Sequence, residues 1–273
     1  MISADENANE TPKPIYRSRL GRFSPSMGWK AFWSEIIIVV LGVMIALAAN
    51  EAVENWNWQK KVAAGEIKLK REAIRNFQFS AEQVAIDPCI DAQLDKLQKR
   101  LLSSGDVLNP APVFSDSWND EFVYRIPRAR PYVQSAWQAL NGDGTASHMD
   151  DWRQQKYANL YAQVTDMIER SRTKTEVHSA RSIMLSIPIP LNQSTRAILL
   201  AELLEQKGHS RLQSLLAVQT MASMRDLGIA PSVKDVQNFL QNESASLTFC
   251  KAQGFPVANW QQLLDKEPVE AQF

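Results

Sequence analysis

A run of apolar residues near the N-terminus limits what this chain can become more than any other feature does. It extends from Ile36 to Ala49, reads IIIVVLGVMIALAA and contains no charged residue. As a helix, the run alone covers about 21 Å of a hydrocarbon core that is about 30 Å thick. Its flanks extend it to a length of about twenty residues, which is enough to span a bilayer. We therefore predict a transmembrane helix over residues 31–53.

The charges on the two sides of this segment predict its orientation. Every charged residue between Glu10 and Glu35 is basic, whereas Glu51 and Glu54 are the first charges after the run. The basic residues are Lys13, Arg17, Arg19, Arg22 and Lys30. The positive-inside rule then places the N-terminus in the cytoplasm. In a bacterium, this orientation would place the helix in the inner membrane and the bulk of the chain in the periplasm.

This topology divides the chain into four parts. Residues 1–30 would form a basic cytoplasmic tail, followed by the transmembrane helix at 31–53. Residues 54–254 would form a periplasmic α-helical domain, and residues 255–273 a C-terminal tail. The polar length after residue 50 is enough for one sizeable hydrophobic core.

A cleaved signal peptide is the alternative interpretation of the apolar run. Ala46-Leu47-Ala48 fits the A-x-A cleavage pattern, and a run of this length also suits a signal sequence. Two features favour an anchor: the stretch before the run is longer than usual, and no helix breaker follows it. Both interpretations export the remainder of the chain.

The periodicity of the remaining sequence is helical almost throughout, so we predict an all-α fold. The transmembrane helix would continue into a periplasmic helical bundle with one irregular loop that is rich in aromatic residues and proline. Helices are expected at about 29–86, 89–102, 132–140, 148–185, 193–207, 210–227 and 232–247. Asp87-Pro88, Gly208 and Gly228 would end helices. Ser147 with Asp150, and Ser232 with Asp235, would cap new ones.

An apolar stripe follows heptad spacing along the first helix. Its members are Val53, Trp56, Lys60, Ala63, Ile67, Lys70, Ile74, Phe77, Ala81 and Val84. From Ile67 to Val84 we expect the stripe to pack against later helices of the same chain. Nearer the membrane, a coiled-coil homodimer is an equal alternative.

The same register leads back into the membrane segment, where it passes Glu35, Gly42 and Ala46. Gly42-x-x-x-Ala46 is a small-xxx-small pair that permits close helix approach in lipid, so it predicts a helix-packing site for a homodimer or a protein partner. Glu35 would lie at the first interface as an anchor, or alternatively serve as a buried functional acid.

The chain contains only two cysteines, Cys89 and Cys250. In an oxidising compartment two cysteines far apart in sequence are candidates for a disulfide. Two unpaired buried thiols are the alternative. If the bond forms, closing so long a loop would contribute about 5 kcal/mol in the chain-entropy model.

The stretch from Asn109 to Pro131 is irregular, because four prolines bracket its aromatic residues. The aromatic residues are Phe114, Trp118, Phe122 and Tyr124. Such a loop is either a lid packed on the bundle or a recognition surface for a partner.

The sequence predicts no catalytic, cofactor or metal site. The three histidines, His148, His178 and His209, lie in separate elements and outside any metal-binding motif. The segment that starts at Asn141 resembles a calcium loop but has Trp152 where the loop needs glutamate. With a formal net charge of zero and a pI of about 6.9, the chain does not suggest a nucleic-acid partner. We expect a protein that is not an enzyme.

The segment EIIIVVLGVMIAL from Glu35 to Leu47, followed by Asn50, Asn55 and Trp56, resembles the N-terminal signature of a widespread bacterial family of uncharacterised single-pass membrane proteins. Ser135-Ala136-Trp137 is similar to its proteobacterial members. The resemblance implies an uncleaved anchor and a helical extracytoplasmic domain, and it carries no activity.

These expectations lead to one function hypothesis and two alternatives. The first is a membrane-anchored interaction or accessory protein that contacts the lipid bilayer and binds a protein partner. The second is a ligand-sensing periplasmic bundle that acts through a separate transducer, since about thirty cytoplasmic residues leave no room for an output domain. The third is a hydrolase without a recognisable motif.

Overall fold

The computed structural model describes residues 28–110 and 130–266, except for the side chains of Ala31 and of residues 173–186. Two compact units divide the chain: an N-terminal unit, Met1–Asn55, and a C-terminal unit, Trp56–Phe273. The described residues form seven α-helices and only two strands of two residues each. The prediction of an all-α fold is therefore confirmed.

The helices differ greatly in length. They are α1 (Trp29–Ser103), α2 (Ser135–Gly142), α3 (Asp151–Ser186), α4 (Gln193–Asp226), α5 (Val233–Asn242), α6 (Ala245–Ala252) and α7 (Trp260–Lys266). A 3-10 helix, Thr145–His148, lies between α2 and α3. Strands β1 (Val107–Leu108) and β2 (Ile189–Pro190) pair antiparallel. The sequence does not predict this pair, because two residues are too few to show an alternating pattern.

In the N-terminal unit the described residues belong almost entirely to α1. The apolar side chains of its run are exposed in the structure. An 18-residue window near the start of the helix has a mean hydropathy of 2.5, and none of it is buried. One helix near the N-terminus is thus long and apolar enough to cross a membrane.

In the C-terminal unit the core surrounds the middle of α1, where residues 79–86 are all buried. Lys207 of α4 donates to Asp95 of α1 over 2.6 Å. The ring of Trp260 in α7 meets Phe77 of α1 edge-on, with 5.7 Å between the centroids. Helix α3 packs along α4. Because the helix is enclosed on all sides here, polar residues outside the predicted stripe, Glu82 and Gln83, are buried as well.

The prediction that the stripe on α1 is buried from Ile67 onward is wrong at Ile67 and Lys70. Ala63, Ile67 and Lys70 are exposed, whereas Leu69 and Ala73 are buried. Positions two apart on a helix differ by about 200°, so the buried face is opposite to the expected one. Both faces carry apolar residues here, and the sequence alone did not distinguish them. From Phe77 onward the stripe is buried as expected.

Pro88 does not end the first helix, contrary to expectation, and α1 continues through it to Ser103. Tertiary contacts hold the helix just before the proline. The Asp87 side chain accepts a hydrogen bond from Ser210 over 2.7 Å. The carbonyl of Ala85 accepts the backbone N–H of Ala258 over 3.0 Å. These contacts offset the hydrogen bond that proline removes from the helix.

Two other predicted helix boundaries are also wrong. Helix α4 passes through Gly208 without a break, because its neighbours Lys207 and Ser210 are both bonded to α1. The predicted helix at 232–247 is split into α5 and α6. Ser244 starts α6, since its hydroxyl accepts the backbone N–H of Leu247 over 3.1 Å.

Of the predicted helix caps, one is confirmed and one is wrong. The predicted cap of α5 is confirmed, because the Ser232 hydroxyl accepts the N–H of Asp235 over 3.2 Å. Gly228 ends α4 with a φ of 69°, as its position after the helix indicates. The predicted cap at Ser147 is wrong: Ser147 lies inside the 3-10 helix, and α3 begins only at Asp151.

The stretch that follows Gly254, which was predicted to be a C-terminal tail, is folded onto the C-terminal unit up to the end of α7. Phe255, Trp260 and Leu264 are buried. Burying three large apolar side chains contributes several kcal/mol, which is enough to order a short segment. Residues 267–273 lie outside the described part of the chain.

Candidate interaction surface

The two cysteines meet between α1 and α6. The Sγ atoms of Cys89 and Cys250 are 2.05 Å apart, a bonding distance, and both residues are buried. The bond would link positions separated by 161 residues in sequence. It would tie the C-terminal helices to the central helix of the unit.

The residues predicted for packing in the membrane are exposed in the N-terminal unit. Glu35, Gly42 and Ala46 all belong to the exposed part of α1. A methyl group added at Gly42 would meet no atom within 4 Å. This surface therefore has room for lipid or for another helix.

The predicted aromatic surface, Phe114, Trp118, Phe122 and Tyr124, lies outside the described residues. The segments on both sides of it are described, and both are held by arginine. Arg100 donates to the carbonyls of Asn109 and Pro110, each over 3.0 Å. Arg130 binds Glu82 on α1 and the carbonyl of Glu243, the latter over 2.9 Å.

Segment 130–136 is attached to α1 by buried polar side chains. The Asn76 amide donates to the carbonyl of Val133 over 2.7 Å and accepts its N–H over 2.9 Å. The Glu72 carboxylate accepts the Ser135 hydroxyl over 3.0 Å and the Ala136 N–H over 2.9 Å. Glu72 thus satisfies a free N–H at the start of α2. Buried hydrogen bonds of this kind fix the position of the segment.

Arg130 contacts two aromatic rings in addition to the Glu82 carboxylate. Its guanidinium carbon is 5.4 Å from the ring centroids of Phe79 and of Phe239. The Glu82 carboxylate also accepts the Ser244 hydroxyl over 2.6 Å. A buried charge is tolerated only when it is paired and hydrogen-bonded, and both conditions hold here.

Two tyrosine hydroxyls near this attachment are buried and make no hydrogen bond of normal geometry within the described residues. Burial raises the pKa of Tyr132 well above its usual value, and the nearby Glu82 carboxylate adds to this. Burial and the Glu72 carboxylate raise the pKa of Tyr161 in the same direction. Both side chains therefore stay neutral at physiological pH.

An open groove with an apolar floor lies between α1, the start of α3 and the end of α4. Its volume is about 450 Å³, and its lining includes Ile67, Trp152, Tyr157, Leu227 and Ile229. Ile67 is 56% exposed and Trp152 is 55% exposed. Arg153 at its edge is bonded to Glu66 over 2.9 Å. Large exposed apolar side chains around a groove, with polar residues at the rim, are typical of an interface.

A second open groove runs along another side of α1 and has a volume of about 630 Å³. Three basic residues of α1, Lys68, Arg71 and Arg75, line it together with Gln78 and Ser135. Segment 133–136 forms its opposite wall. This groove was not predicted, although the spacing of the three basic residues along one helix face is a signal in the sequence.

The two histidines whose side chains are described, His148 and His209, each contact another side chain. The His148 ring stacks on Trp58 with 3.9 Å between the centroids. His209 lies 3.5 Å from Glu205, one turn away in α4. The His178 side chain is outside the described part. Within residues 28–110 and 130–266, no three His, Cys, Asp or Glu residues converge as a metal site would require.

Hydrogen bonds also explain the turn that resembles a calcium loop. Asp143 Oδ1 accepts the backbone N–H of Thr145 over 2.9 Å. Hydrogen bonds from Thr145 hold the pKa of Asp143 below its usual value, and the charges of Lys61 and Lys68 add to this. The Asp143 carboxylate therefore stabilises the turn by accepting this hydrogen bond.

Comparison with known proteins gives no relative from which a function could be transferred: no family model, curated protein or solved structure matches this chain.

Proposed function

We propose that this chain is a single-pass protein of the bacterial inner membrane whose helical C-terminal unit binds a protein partner in the periplasm or envelope. The apolar helix would serve as an uncleaved anchor, with residues 1–30 in the cytoplasm. On this proposal the chain belongs with the single-pass membrane proteins that its Glu35–Leu47 segment resembles. It acts as an accessory protein and catalyses no reaction.

The exposed apolar groove at Ile67 and Trp152 supports the partner most directly. Both side chains are more than half exposed, and both belong to the lining of the same groove. The groove is open, so it suits the surface of a protein better than a small ligand, which is usually enclosed. This openness favours the interaction hypothesis over the ligand-sensing alternative.

The partner can be tested by purification of the full chain from native membranes, followed by mass spectrometry of what copurifies. We expect a reproducible complex at a fixed stoichiometry that is lost in the Ile67→Lys variant. Ile198→Lys is a matched control, because Ile198 is 57% exposed on α4 and lies outside the groove. A protein that purifies alone and as a monomer would contradict the proposal.

The anchor has a separate test. The mature protein should keep its N-terminus and remain in the membrane pellet after alkaline carbonate extraction. A protease added outside spheroplasts should digest the C-terminal unit and leave an N-terminal tag intact. A new N-terminus at Ala49 would show that the run is cleaved as a signal peptide.

A further inference from the structure

We propose that the basic groove, lined by Lys68, Arg71 and Arg75, binds an acid-rich segment of the partner protein. This inference rests on the proposed function, because it names the chemistry of the partner that the C-terminal unit would bind. It concerns a different surface from the apolar groove at Ile67 and Trp152.

The three cations are arranged along one side of α1. Their spacing of three and four residues aligns them, and Lys68 and Arg75 are about 10 Å apart along the helix axis. All three side chains are exposed. Within the described residues none of the three forms an ion pair or a hydrogen bond; the acidic groups near them are Asp143, whose charge interacts with that of Lys68, and Glu72 in the lining of the same groove.

The carboxylate nearest to these cations is already engaged. Glu72 lines the same groove, but its Oε2 atom accepts hydrogen bonds from Ser135 and Ala136 in the opposite wall. With three cations and one carboxylate, the lining has a formal net charge of +2 (3 − 1 = 2). An anionic partner would supply the missing charge.

The walls of the groove are held in place without a ligand. Asn76 and Glu72 fix segment 133–136 against α1 with hydrogen bonds of 2.7 to 3.0 Å. A partner would meet a surface that is already ordered, so little conformational entropy is lost on the side of this chain. Ile74, which is half-buried between the cations, offers an apolar contact within the row of charges.

The shape of the groove selects a peptide segment among the anions that three cations could bind. An open groove cannot enclose a small ligand, which usually buries most of its surface. An extended peptide advances about 3.3 Å per residue, so three or four residues would cover the row from Lys68 to Arg75. Aspartate or glutamate side chains along that segment would meet the arginines in the bidentate geometry that guanidinium groups favour.

Fluorescence anisotropy on the full chain in nanodiscs tests the groove directly. The probes are a labelled Glu-rich peptide of about six residues, long enough to cover the row, and a Gln-rich peptide of the same length. Only the Glu-rich peptide should bind, and added salt should weaken its binding. Lys68→Glu/Arg71→Glu/Arg75→Glu should lower the affinity at least about tenfold.

The control variant is Lys99→Glu/Lys156→Glu/Lys234→Glu. It reverses three exposed lysines outside the groove and changes the net charge by the same amount. We expect it to change the affinity by less than about twofold. An equal loss in both triple variants, or equal binding of the Gln-rich peptide, would overturn the inference.

A photo-crosslinking amino acid at Gln78, on the lining of the groove, connects this test to the native partner. In membranes it should capture the copurifying protein, and the groove triple variant should abolish the crosslink. If the complex survives groove reversal, the inference is wrong while the proposed function stands. If no complex forms at all, the proposed function is wrong, and the peptide measurement still decides whether the groove binds acidic segments.

Discussion

Glu82 and Arg130 form a two-point ion pair inside the C-terminal unit. Arg130 donates to both carboxylate oxygens of Glu82. Its Nη2 atom donates to Oε1 over 2.9 Å, and its Nε atom donates to Oε2. The side chain of Glu82 is 4% exposed and that of Arg130 is 21% exposed. The pair attaches the described residues at the C-terminal end of segment 111–129 to the centre of α1. This attachment leads to the first prediction.

Glu82→Gln should lower the free energy of unfolding by about 2 kcal/mol, because it removes a charged acceptor that binds Arg130 and Ser244. Urea unfolding followed by circular dichroism measures the change. Asp265→Asn is the matched control, since Asp265 is 3.7 Å from Arg225 and mostly exposed. The control should cost less than about 0.5 kcal/mol. Similar costs for both variants would mean that burial does not strengthen the Glu82 pair.

Gly65→Ala should destabilise the C-terminal unit by about 1 kcal/mol, because overpacking the core costs about 2 kcal/mol and the helix preference of alanine offsets only about 1 kcal/mol of it. A Cβ atom at Gly65 would lie 2.6 Å from Cδ2 of Leu140 and 3.2 Å from its Cγ. Gly208→Ala should instead stabilise by up to about 1 kcal/mol, since alanine favours helix. A Cβ atom there meets nothing within 4 Å. Thermal unfolding of both variants gives opposite shifts if these contacts are correct.

Reduction of the Cys89–Cys250 bond should lower the unfolding midpoint in urea, by an amount equivalent to about 5 kcal/mol in the chain-entropy model. A non-reducing gel should show faster migration for the wild type than for Cys89→Ser. The Cys89→Ser/Cys250→Ser variant should unfold identically with and without reductant. A wild-type band that Cys89→Ser does not change would show that the bond is absent from the purified protein.

Alkaline pH should destabilise the C-terminal unit. The pKa of Tyr132 and of Tyr161 is raised in the folded state, chiefly by burial. A hydrogen bond to Asp95 raises the pKa of Lys207 as well. Each group binds its proton more tightly when folded, so its contribution is complete below the unfolded pKa of about 10 and is lost above it.

The test is the urea midpoint measured across this pH range. The midpoint should fall steeply above pH about 10. Tyr132→Phe should make the fall shallower while costing little at neutral pH, because the hydroxyl makes no normal hydrogen bond. A pH dependence that is unchanged in Tyr132→Phe would show that this tyrosine does not contribute to it.

The sequence by itself determined the features that depend on neighbouring residues. The apolar run predicted a helix able to cross a membrane because its hydrophobicity is continuous. Helical periodicity predicted the all-α class. Ser232 and Gly228 predicted the start of α5 and the end of α4, since a capping side chain and a positive φ act within one turn. The cysteine pairing was predictable because the chain offers only one pair.

Only the tertiary structure decided which local signals were overridden and which helix face is buried. Inside a helix, a glycine costs about 1 kcal/mol and a proline about 3 kcal/mol relative to alanine. Contacts between α1 and α4 outweigh these costs at Gly208 and Pro88. Leu69 is buried instead of Ile67 because the choice depends on helices far away in sequence. The basic groove likewise exists only because Asn76 and Glu72 bring segment 133–136 beside Lys68, Arg71 and Arg75. Local sequence carries no information on such distant pairings, so it could not predict them.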